Sequence, residues 1–261
     1  MSKVQAHEFF VQLFYRHKKV VNYRKKEKMN QFLLNKKCVA NLFFLCFLSN
    51  MQSLNVNFRA NLIAKTSAIP KKGIGKFDIY ELNSMDRNFI KRLGESVNFD
   101  KSMPNLSDFD KKRLQNIFDY GIESAQMPHF KTFLAINDNK PCSFMVIENN
   151  NNRIGLDCIC NIPVSISKFA KGAGKSLLTH LFKYSEENNA KSIDLFAVTN
   201  GPFNVIEKYK KLGFLELGWS DKYIQMSCNK YKIKEQLKEL LSQTCYKPIK
   251  NSENIDLDYF L

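Results

Sequence analysis

The chain has 261 residues, of which 44% are hydrophobic, so it is long enough to bury one good core. Its net charge of +15 is uneven, because residues 1–60 carry 11 Lys and Arg against 2 Asp and Glu, whereas the remainder carry 29 against 23. An excess of this size favours anionic partners, although a phosphate-rich cofactor satisfies it as well as nucleic acid does. We attribute most of the charge to solvated lysines and expect no nucleic-acid partner.

The seven cysteines and four histidines form no metal-ligand pattern. Cys158 and Cys160 are two apart on a predicted strand, so both side chains point to one face, unlike those of a C-x-x-C turn. We therefore expect no metal, and we interpret the cysteines as buried free thiols in a reducing cytoplasm.

Residues 1–60 form a basic amino-terminal extension that differs from the rest of the chain. It contains the apolar run VANLFFLCFLSN from Val39 to Asn50, which is shorter than the roughly 20 residues that span a bilayer. Three interpretations compete: a membrane-surface arm, a helical extension packed on the domain, and translated upstream sequence ahead of a start at Met51. We favour the third, assign the extension no function and expect no membrane contact.

Regular patterns begin near residue 73. GKFDIYEL alternates apolar and polar residues from Gly75 to Leu82 and predicts a strand. Ser84 is the expected cap of a helix that reaches about Leu93, with Asp86 in its first turn. Ser107 is the expected cap of a second helix.

Three strands, a helix and a further strand follow. FKTFLAI (Phe130 to Ile136) and CSFMVIE (Cys142 to Glu148) predict a hairpin. RIGLDCICNIPV (Arg153 to Val164) is nearly continuous in apolar residues, as a central strand should be. A helix over about Gly174 to Asn188 and a buried strand over Lys191 to Thr199 then imply a crossover and parallel pairing.

The patterned region closes with a short helix ending at Gly213 and two strands, Phe214 to Leu217 and Tyr223 to Ser227. The element order β-α-α-β-β-β-α-β-α-β-β predicts an α/β (α+β) fold with a mixed, mostly antiparallel twisted sheet of about seven strands and helices on both faces. We expect one domain over residues 72–228, and a carboxy-terminal helix with an acidic tail over residues 229–261.

KGAGKSLLTHLF, from Lys171 to Phe182, predicts a loop that cradles phosphate at the start of a helix. Gly172 and Gly174 let backbone N–H groups turn inward, and the positive end of the helix dipole points to the same place. The phosphate could belong to a nucleoside triphosphate or to the pyrophosphate of coenzyme A. The triphosphate pattern G-x-x-x-x-G-K-[ST] requires glycine where Phe169 stands, so it is the weaker match.

The loop, the helix and strand after it, and KYKKLGF from Lys208 to Phe214 together resemble the GNAT superfamily of N-acetyltransferases. That family's loop reads [QR]-x-x-G-x-[GA], and its Y-x-x-x-G-F close begins here at Tyr209. The resemblance covers about residues 74 to 228. It departs at Phe169, which stands where the family has Gln or Arg, although the flanking Lys168 and Lys171 could supply the positive charge.

The resemblance implies a GNAT-like fold whose central strand splays away from its parallel neighbour. It also implies acetyl-CoA as co-substrate, with the pantetheine arm bonded to the splayed backbone. By resemblance, the cofactor site comprises Ile162, Val164, Lys168, Phe169, Ala170, Lys171, Gly172, Ala173, Gly174, Lys175, Ser176, Asn200 and Asn204. Asn200 and Asn204 are equally consistent with turn chemistry beside Gly201 and Pro202.

The implied reaction is direct transfer of an acetyl group from acetyl-CoA to an amine. Tyr209 occupies the position of the family's tyrosine acid, although a packing role is also open. Asp157 is the nearest carboxylate on the central strand, and it could accept the amine proton through water or face solvent. His180 lies inside the helix and is better interpreted as a flanking residue than as a catalyst.

No set of residues selects the acceptor, so we expect an amine-bearing small molecule or a protein amine. The resemblance puts the acceptor pocket at about Arg87 to Met127 and at about Gly218 to Tyr223. Asp100, Asp108 and Asp110 could attract a cationic amine or act as caps and surface residues. A homodimer is left open, and a non-catalytic acyl-CoA-binding relative, a P-loop-like nucleotide binder and a basic nucleic-acid-binding protein are the alternatives.

Overall fold

The computed structural model describes residues 59–68, 75–82, 86–199, 203–249 and 254–256, and predictions about other positions lie outside this part of the chain. Those positions include Ser84, Asn200 and all but the last two residues of the amino-terminal extension. Every described residue belongs to one compact unit, Asn57–Leu261.

The described residues form twelve strands and six helices. The strands are β1 (Arg59–Ala68), β2 (Gly75–Leu82), β3 (Phe130–Asn137), β4 (Lys140–Asn150), β5 (Arg153–Asn161), β6 (Pro163–Ser165), β7 (Lys168–Phe169), β8 (Ser192–Val198), β9 (Leu215–Trp219), β10 (Tyr223–Asn229), β11 (Thr244–Pro248) and β12 (Asn254–Asp256). The helices are α1 (Arg87–Ser96), α2 (Phe99–Ser102), α3 (Asp108–Ala125), α4 (Ala173–Glu187), α5 (Val205–Lys211) and α6 (Lys230–Gln243).

Ten of the strands form one sheet in the order β11-β1-β2-β3-β4-β5-β8-β10-β9, with β12 also paired to β1, and β6 and β7 form a separate hairpin. Within the described residues, β5 and β8 are the one parallel pair of this sheet. The predicted mixed, mostly antiparallel sheet is therefore confirmed, and all seven predicted strands are present.

The predicted count of about seven strands is too low, because β1, β11 and β12 extend the sheet. Strand β11 begins at the residue that follows α6, with no Gly or Pro between them, so no turn signal marks it. Strand β1 precedes the first patterned segment near residue 73. The division at residues 72 and 228 stays a prediction, since the sheet takes strands from both sides of that range.

Helices cover both faces of the sheet and define two apolar clusters. The α4-side cluster packs α4 and α6 against the sheet through residues such as Leu177, Phe182 and Ile233. The α3-side cluster packs α1 and α3 on the opposite face through residues such as Phe89 and Phe118. All five named side chains are at most 1% exposed, so the sheet is a buried middle layer.

The helix termini agree with the predicted capping residues, with one correction. The hydroxyl oxygen of Ser107 accepts the N–H of Asp110 at 3.1 Å, as its predicted cap role requires. Asp86 is itself the residue before α1, and not in the first turn as predicted. Gly213 follows α5 with φ of +82°, a left-handed conformation that glycine adopts without strain.

Strand β5 contains the irregularity that positions the site. Cys158 lies opposite Val146 on β4 and Leu156 lies opposite Ile147, so Asp157 is an extra residue in a β-bulge. The side chains of Ile154 and Leu156 belong to the α4-side cluster, whereas those of Cys158 and Cys160 belong to the α3-side cluster. The bulge therefore reverses which residues of β5 face each layer.

Candidate functional site

A gap opens between the two parallel strands β5 and β8. In the described chain, the pairing between them is limited to Arg153–Leu156 of β5 and Ser192–Leu195 of β8. Beyond that point β5 stays paired with β4 and β8 stays paired with β10, but the two strands have no pairing with each other in the described chain. The predicted splayed central strand is thus confirmed. Its unpaired backbone N–H and C=O groups can bond an extended ligand.

The predicted strand over Arg153 to Val164 is shorter than expected. Strand β5 ends at Asn161, and Pro163 begins the separate β6–β7 hairpin, because proline has no N–H to continue the ladder. The N–H of Ile162 donates to the carbonyl of Cys142 at 2.8 Å, so of its backbone groups only the carbonyl is left for a ligand. Val164 lies in β6. The free edge of β5 runs over Cys158 to Asn161, which the sequence interpretation missed.

A loop closes one end of the gap and leads into α4. Gly172 is the residue before α4 and has φ of +96°, which glycine tolerates and a β-branched residue would not. The N–H groups of Lys171, Gly172, Gly174 and Lys175 have no hydrogen-bond partner among the described residues. The helix dipole adds positive potential at the same point. Together these groups form the arrangement of free donors that the sequence predicted, which we call the nest, and its binding of an anion stays a prediction.

Asn161 lies against this nest. A Cβ placed on Gly174 would lie 3.3 Å from Asn161 Oδ1, so glycine makes room for that side chain. Asn161 is the last residue of β5 and is exposed, which puts an amide group between the strand gap and the loop. No sequence motif marked Asn161, because its role depends on the end of β5 meeting the start of α4.

The side chains of the loop differ in their exposure and in their hydrogen-bond partners. Lys168 and Lys171 are exposed and make no ion pair with another described residue. Lys175 donates from Nζ to Gln243 Oε1 at the end of α6, so its charge is engaged elsewhere. Ser176 is fully buried, and its hydroxyl has no partner in the described part of the chain. Phe169 is half-buried, and Ala170 and Ala173 pack against the apolar layer.

Tyr209 on α5 lies beside the gap. Its ring packs edge-to-face on Phe214 with centroids 5.5 Å apart. Burial, helped by the nearby thiols of Cys158 and Cys160, raises the pKa of Tyr209 well above its usual value. The phenol therefore stays protonated at neutral pH, which suits a proton donor. Its hydroxyl has no hydrogen-bond partner among the described residues.

Asp157, the bulge residue, is held by α3. The hydroxyl of Tyr120 donates to Asp157 Oδ1 at 2.7 Å. The other oxygen, Oδ2, is buried and has no partner in the described part of the chain. Burial and the hydrogen bond to Asp157 raise the pKa of Tyr120, so this phenol remains a donor. Tyr120 was not predicted, because nothing in the sequence links α3 to the bulge.

Two thiols line the α3 side of the gap. Cys158 Sγ and Cys160 Sγ are 3.2 Å apart, and both approach the carbonyl oxygen of Ile117, at 3.8 and 3.7 Å. The contact with Cys158 and burial raise the pKa of Cys160, which keeps its thiol uncharged. The prediction that both cysteines share one face is confirmed.

Three other predicted residues have local roles or lie elsewhere. Asn204 is the cap of α5, and its Oδ1 accepts the N–H of Glu207 at 3.2 Å. Asn200 lies outside the described residues. His180 packs on Phe133, and its Nδ1 is 2.8 Å from the hydroxyl of Tyr246 on β11.

Two of the acidic residues that were considered for attracting the acceptor make local contacts at the start of α3. Asp108 pairs with Lys111, with Oδ1 3.0 Å from Nζ, and Asp110 Oδ2 accepts the hydroxyl of Ser107 at 2.7 Å. Asp100 is in the first turn of α2.

Two other features are absent from the described ranges. No group of three or more His, Cys, Asp or Glu side chains there is arranged to hold a metal ion. None of the helices in the described ranges has the length and apolar character needed to cross a membrane.

Comparisons with known proteins returned structural neighbours only. The sequence matches no protein-family model and no curated protein. Among solved structures, the chain is similar to nourseothricin acetyltransferase (22% identity, 39% of this chain and 66% of that chain covered, TM-score 0.33). It is also similar to PaiA N-acetyltransferase from Thermoplasma acidophilum in complex with coenzyme A (16% identity, 59% and 98% covered, TM-score 0.40).

A third neighbour is the ribosomal-protein-S18-alanine N-acetyltransferase from Escherichia coli (17% identity, 58% of this chain and 92% of that chain covered, TM-score 0.40). All three neighbours are acetyltransferases by name. In its motifs and in its order of helices and strands, the chain resembles the GNAT superfamily.

Proposed function

We propose that this protein is an acyl-CoA-dependent N-acyltransferase that moves an acetyl group from acetyl-CoA to an amine. One observation carries the proposal. A gap between parallel strands has the nest of free N–H groups at one end, and beside the gap lie a protonated tyrosine, Tyr209, and a carboxylate, Asp157, with one oxygen unpartnered in the described chain. An acyl-CoA has the matching shape, since a diphosphate and a thioester lie at opposite ends of an extended arm with two amides.

The nest suits the diphosphate. The free amides of Lys171, Gly172, Gly174 and Lys175 can each donate a hydrogen bond to phosphate oxygen, and charge-assisted bonds are roughly twice as strong as neutral ones. Lys168 and Lys171 would supply positive charge to the diphosphate where the family has Gln or Arg in the loop. The free edge of β5 over Cys158 to Asn161 would pair with the amides of the pantetheine arm, as a neighbouring strand would.

The chemistry follows from the protonation states. A neutral amine attacks the thioester carbonyl and forms a C–N bond, and the tetrahedral intermediate collapses with cleavage of the C–S bond. Tyr209, which burial keeps protonated, donates its proton to the departing thiolate. Asp157, with Oδ2 unpartnered in the described chain, accepts the amine proton through a water molecule. The products are an amide and free coenzyme A, and the proton taken up at Asp157 returns to Tyr209 through solvent, which restores both groups.

The acceptor is an amine on a small molecule or on a protein. Asp157 faces α3, so the amine would approach from the α3 side, between that helix and the exposed face of β8. Phe196 on this face of β8 is 67% exposed, which leaves an open surface beside the gap.

The test is a pair of ligand titrations. Thermal shift should show stabilisation by acetyl-CoA that grows with concentration as RT ln(1 + [L]/Kd), and none by ATP with magnesium. A thiol-release assay against an amine library should then find an acceptor. Stabilisation by ATP with magnesium alone would overturn the proposal in favour of a nucleotide-binding loop.

The acid role has its own test. Tyr209→Phe should lower kcat about 100-fold, since general acid–base catalysis contributes roughly that much, and should leave the affinity for acetyl-CoA unchanged. Tyr231→Phe, on an 86% exposed tyrosine of α6, is the matched control and should have wild-type kcat. Equal kcat for Tyr209→Phe and the wild type would remove Tyr209 from the reaction.

A non-catalytic acyl-CoA-binding relative is the second candidate, and one observation favours it. Phe169 replaces the family's polar residue in the phosphate loop, which removes one donor to the diphosphate. Binding of acetyl-CoA with no thiol release against any amine would support this alternative.

A further inference from the structure

The pair of thiols on β5 has no part in the chemistry above. Cys158 Sγ and Cys160 Sγ lie 3.2 Å apart, so they must approach by about 1.2 Å to reach the roughly 2.05 Å length of a disulfide bond. Residues two apart in a strand are separated by about 6.6 Å, which is within the usual range of Cα distances across a disulfide. The pair is therefore placed to form a disulfide with little movement of the backbone.

The other buried cysteines of the sheet show how a single thiol is accommodated. The sulfur atoms of Cys142 and Cys228 each approach a backbone carbonyl oxygen, at 3.1 and 3.9 Å, and contact no second thiol in the described chain. Cys158 and Cys160 differ from them because each is the other's nearest sulfur. The thiol–thiol contact is thus a property of this pair, and burial of a cysteine in this sheet does not by itself produce it.

Helix α3 packs directly over the pair. A Cβ placed on Gly121 would lie 2.7 Å from Cys158 Sγ, so glycine at this position leaves room for the thiol. The carbonyl oxygen of Ile117, one turn earlier in α3, is 3.8 and 3.7 Å from the two sulfur atoms. Both thiols are buried but line the gap, so a small oxidant has a route to them that a bulky reagent lacks.

The residue between the two cysteines connects the pair to the gap. The hydroxyl of Ser143 on β4 donates to the carbonyl oxygen of Cys160 at 2.6 Å, so this carbonyl faces β4. Backbone groups of successive residues in a strand point to opposite edges, so the N–H and C=O of Ile159 point into the gap. A disulfide between the two cysteines would enclose Ile159 in its ring.

We propose that Cys158 and Cys160 form a dithiol that a peroxide oxidises reversibly to a disulfide, and that the disulfide closes the free edge of β5 to the acyl carrier. Closing the ring turns the backbone groups of Ile159 away from the direction in which a ligand in the gap would meet them. The effect on the acyl carrier rests on the proposed function, whereas the formation of the disulfide does not.

The oxidation balances with one molecule of hydrogen peroxide. The thiolate of one cysteine attacks a peroxide oxygen, so an S–O bond forms, the O–O bond breaks, and the first water leaves with the thiol's proton. The second thiol then attacks the sulfur of this sulfenic acid, so the S–S bond forms, the S–O bond breaks, and a second water leaves. The contact with Cys158 and burial raise the pKa of Cys160, so the reaction should become faster as the pH rises.

Mass spectrometry of the full chain tests the disulfide. Trypsin releases both cysteines in one peptide, residues 154–168, which contains no other cysteine. After treatment with hydrogen peroxide and then an alkylating agent, this peptide should be two hydrogen atoms lighter than the dithiol and should carry no alkyl group. Dithiothreitol should restore alkylation of both thiols. A peptide that keeps two alkylated thiols, or that gains sulfinic acid without a link, would overturn the proposal.

Two variants assign the link to this pair. Cys228→Ser removes a buried thiol that contacts no other thiol in the described chain, so peroxide should still link the two cysteines of the peptide. Cys158→Ser leaves Cys160 without its partner, so oxidation should stop at a sulfenic acid that a dimedone probe labels. Thermal midpoints should show that both variants fold. Loss of the link in Cys228→Ser would contradict a disulfide that Cys158 and Cys160 form by themselves.

Calorimetry separates the closing of β5 from the function on which it rests. Acetyl-CoA should bind the oxidised protein roughly tenfold more weakly than the reduced protein, about the loss of one hydrogen bond, and dithiothreitol should restore the affinity. Cys158→Ser should have the same affinity before and after peroxide.

The outcomes distinguish the two proposals. Equal binding of acetyl-CoA by both redox forms, with the disulfide present by mass, would overturn the closing of β5 and leave the proposed function intact. If the reduced protein does not bind acetyl-CoA, the proposed function fails and the closing of β5 fails with it. The mass of the peptide decides the disulfide in either case.

Discussion

Helices α6 and α4 both begin at the end of a strand segment, yet their first turns are built in opposite ways. At α6, the side-chain oxygen of Asn229 accepts the N–H groups of Tyr231 and Lys232, each at 3.1 Å. At α4, Gly172 has no side chain to offer, and the N–H groups of Gly174 and Lys175 have no partner among the described residues. The donors at the first helix start are satisfied by the chain itself, whereas those at the second are left for solvent or a ligand.

The comparison shows that two similar helix starts can differ in whether their N–H groups stabilise the fold or are left for a ligand. A side-chain cap contributes to folding, because it satisfies donors in the folded chain. An uncapped glycine start gives up that contribution and keeps the same donors for an anion. Three substitutions can break or sharpen this comparison, and the first has the largest expected effect.

Gly172→Asp would convert the start of α4 into a self-capped one. The new carboxylate would accept the free N–H groups and repel the diphosphate, and aspartate tolerates positive φ better than most residues. We expect the affinity for acetyl-CoA to fall about 100-fold, from lost charge-assisted bonds, as measured by calorimetry. Ser242→Asp adds the same charge at an exposed site of α6 and should bind normally. Normal binding by Gly172→Asp would contradict a ligand in the nest.

His180 extends the comparison to the middle of α4, where a buried polar group faces protein. Burial, and then the charge of Lys131, lower the pKa of His180 from 6.5 to about 4. As the pH falls, His180 therefore takes up a proton at a higher pH in the unfolded chain than in the folded chain. The stability that is present above pH 6.5 is lost as the pH falls towards 4. The loss at pH 5 should be about 2 kcal/mol.

Urea unfolding at pH 7 and pH 5 measures the His180 effect. His180→Gln should shrink the difference between the two pH values, whereas His129→Gln, on a histidine exposed near β3, should keep it. An equal pH dependence in His180→Gln and the wild type would mean that other groups cause the acid sensitivity.

Asn229→Ala tests the self-sufficient start of α6 and has the smallest expected effect. Two N–H groups would lose their acceptor, which costs about 1 kcal/mol of unfolding free energy. The affinity for acetyl-CoA should not change, because α6 starts away from the nest. Urea unfolding and calorimetry on the same sample decide between a stability effect and a binding effect. A loss of affinity in Asn229→Ala would contradict the separation drawn here.

Much of the fold could be predicted because its strands carry local signals. Gly75–Leu82 alternates, and the β3–β4 hairpin has a turn at Asp138 and Asn139, both with positive φ. Strand β11 could not be predicted, since TCYKP is short and follows α6 without a break. It forms because Ala64 and Thr66 of β1 offer it an edge, which is information from a distant segment.

The site divides in the same way. The glycine loop and the helix after it could be predicted, because the two are adjacent in sequence, whereas phosphate binding by the loop stays a prediction. The Tyr120–Asp157 bond and the contact between Asn161 and Gly174 join segments that are far apart in sequence, so no local pattern contains them. Lys175 illustrates the converse, because its place in the motif suggested a phosphate ligand, yet Gln243 from α6 holds its side chain.

The edge of the large sheet at β1 depends on the last residues of the chain. Strands β11 and β12 cover successive parts of β1, from Ala68 to Ala64 and from Asn61 to Arg59. A truncated chain that stops at residue 243 would leave that row of N–H and C=O groups bare, and bare strands recruit one another into aggregates. Loss of the carboxyl terminus would therefore be expected to lower the solubility of this protein.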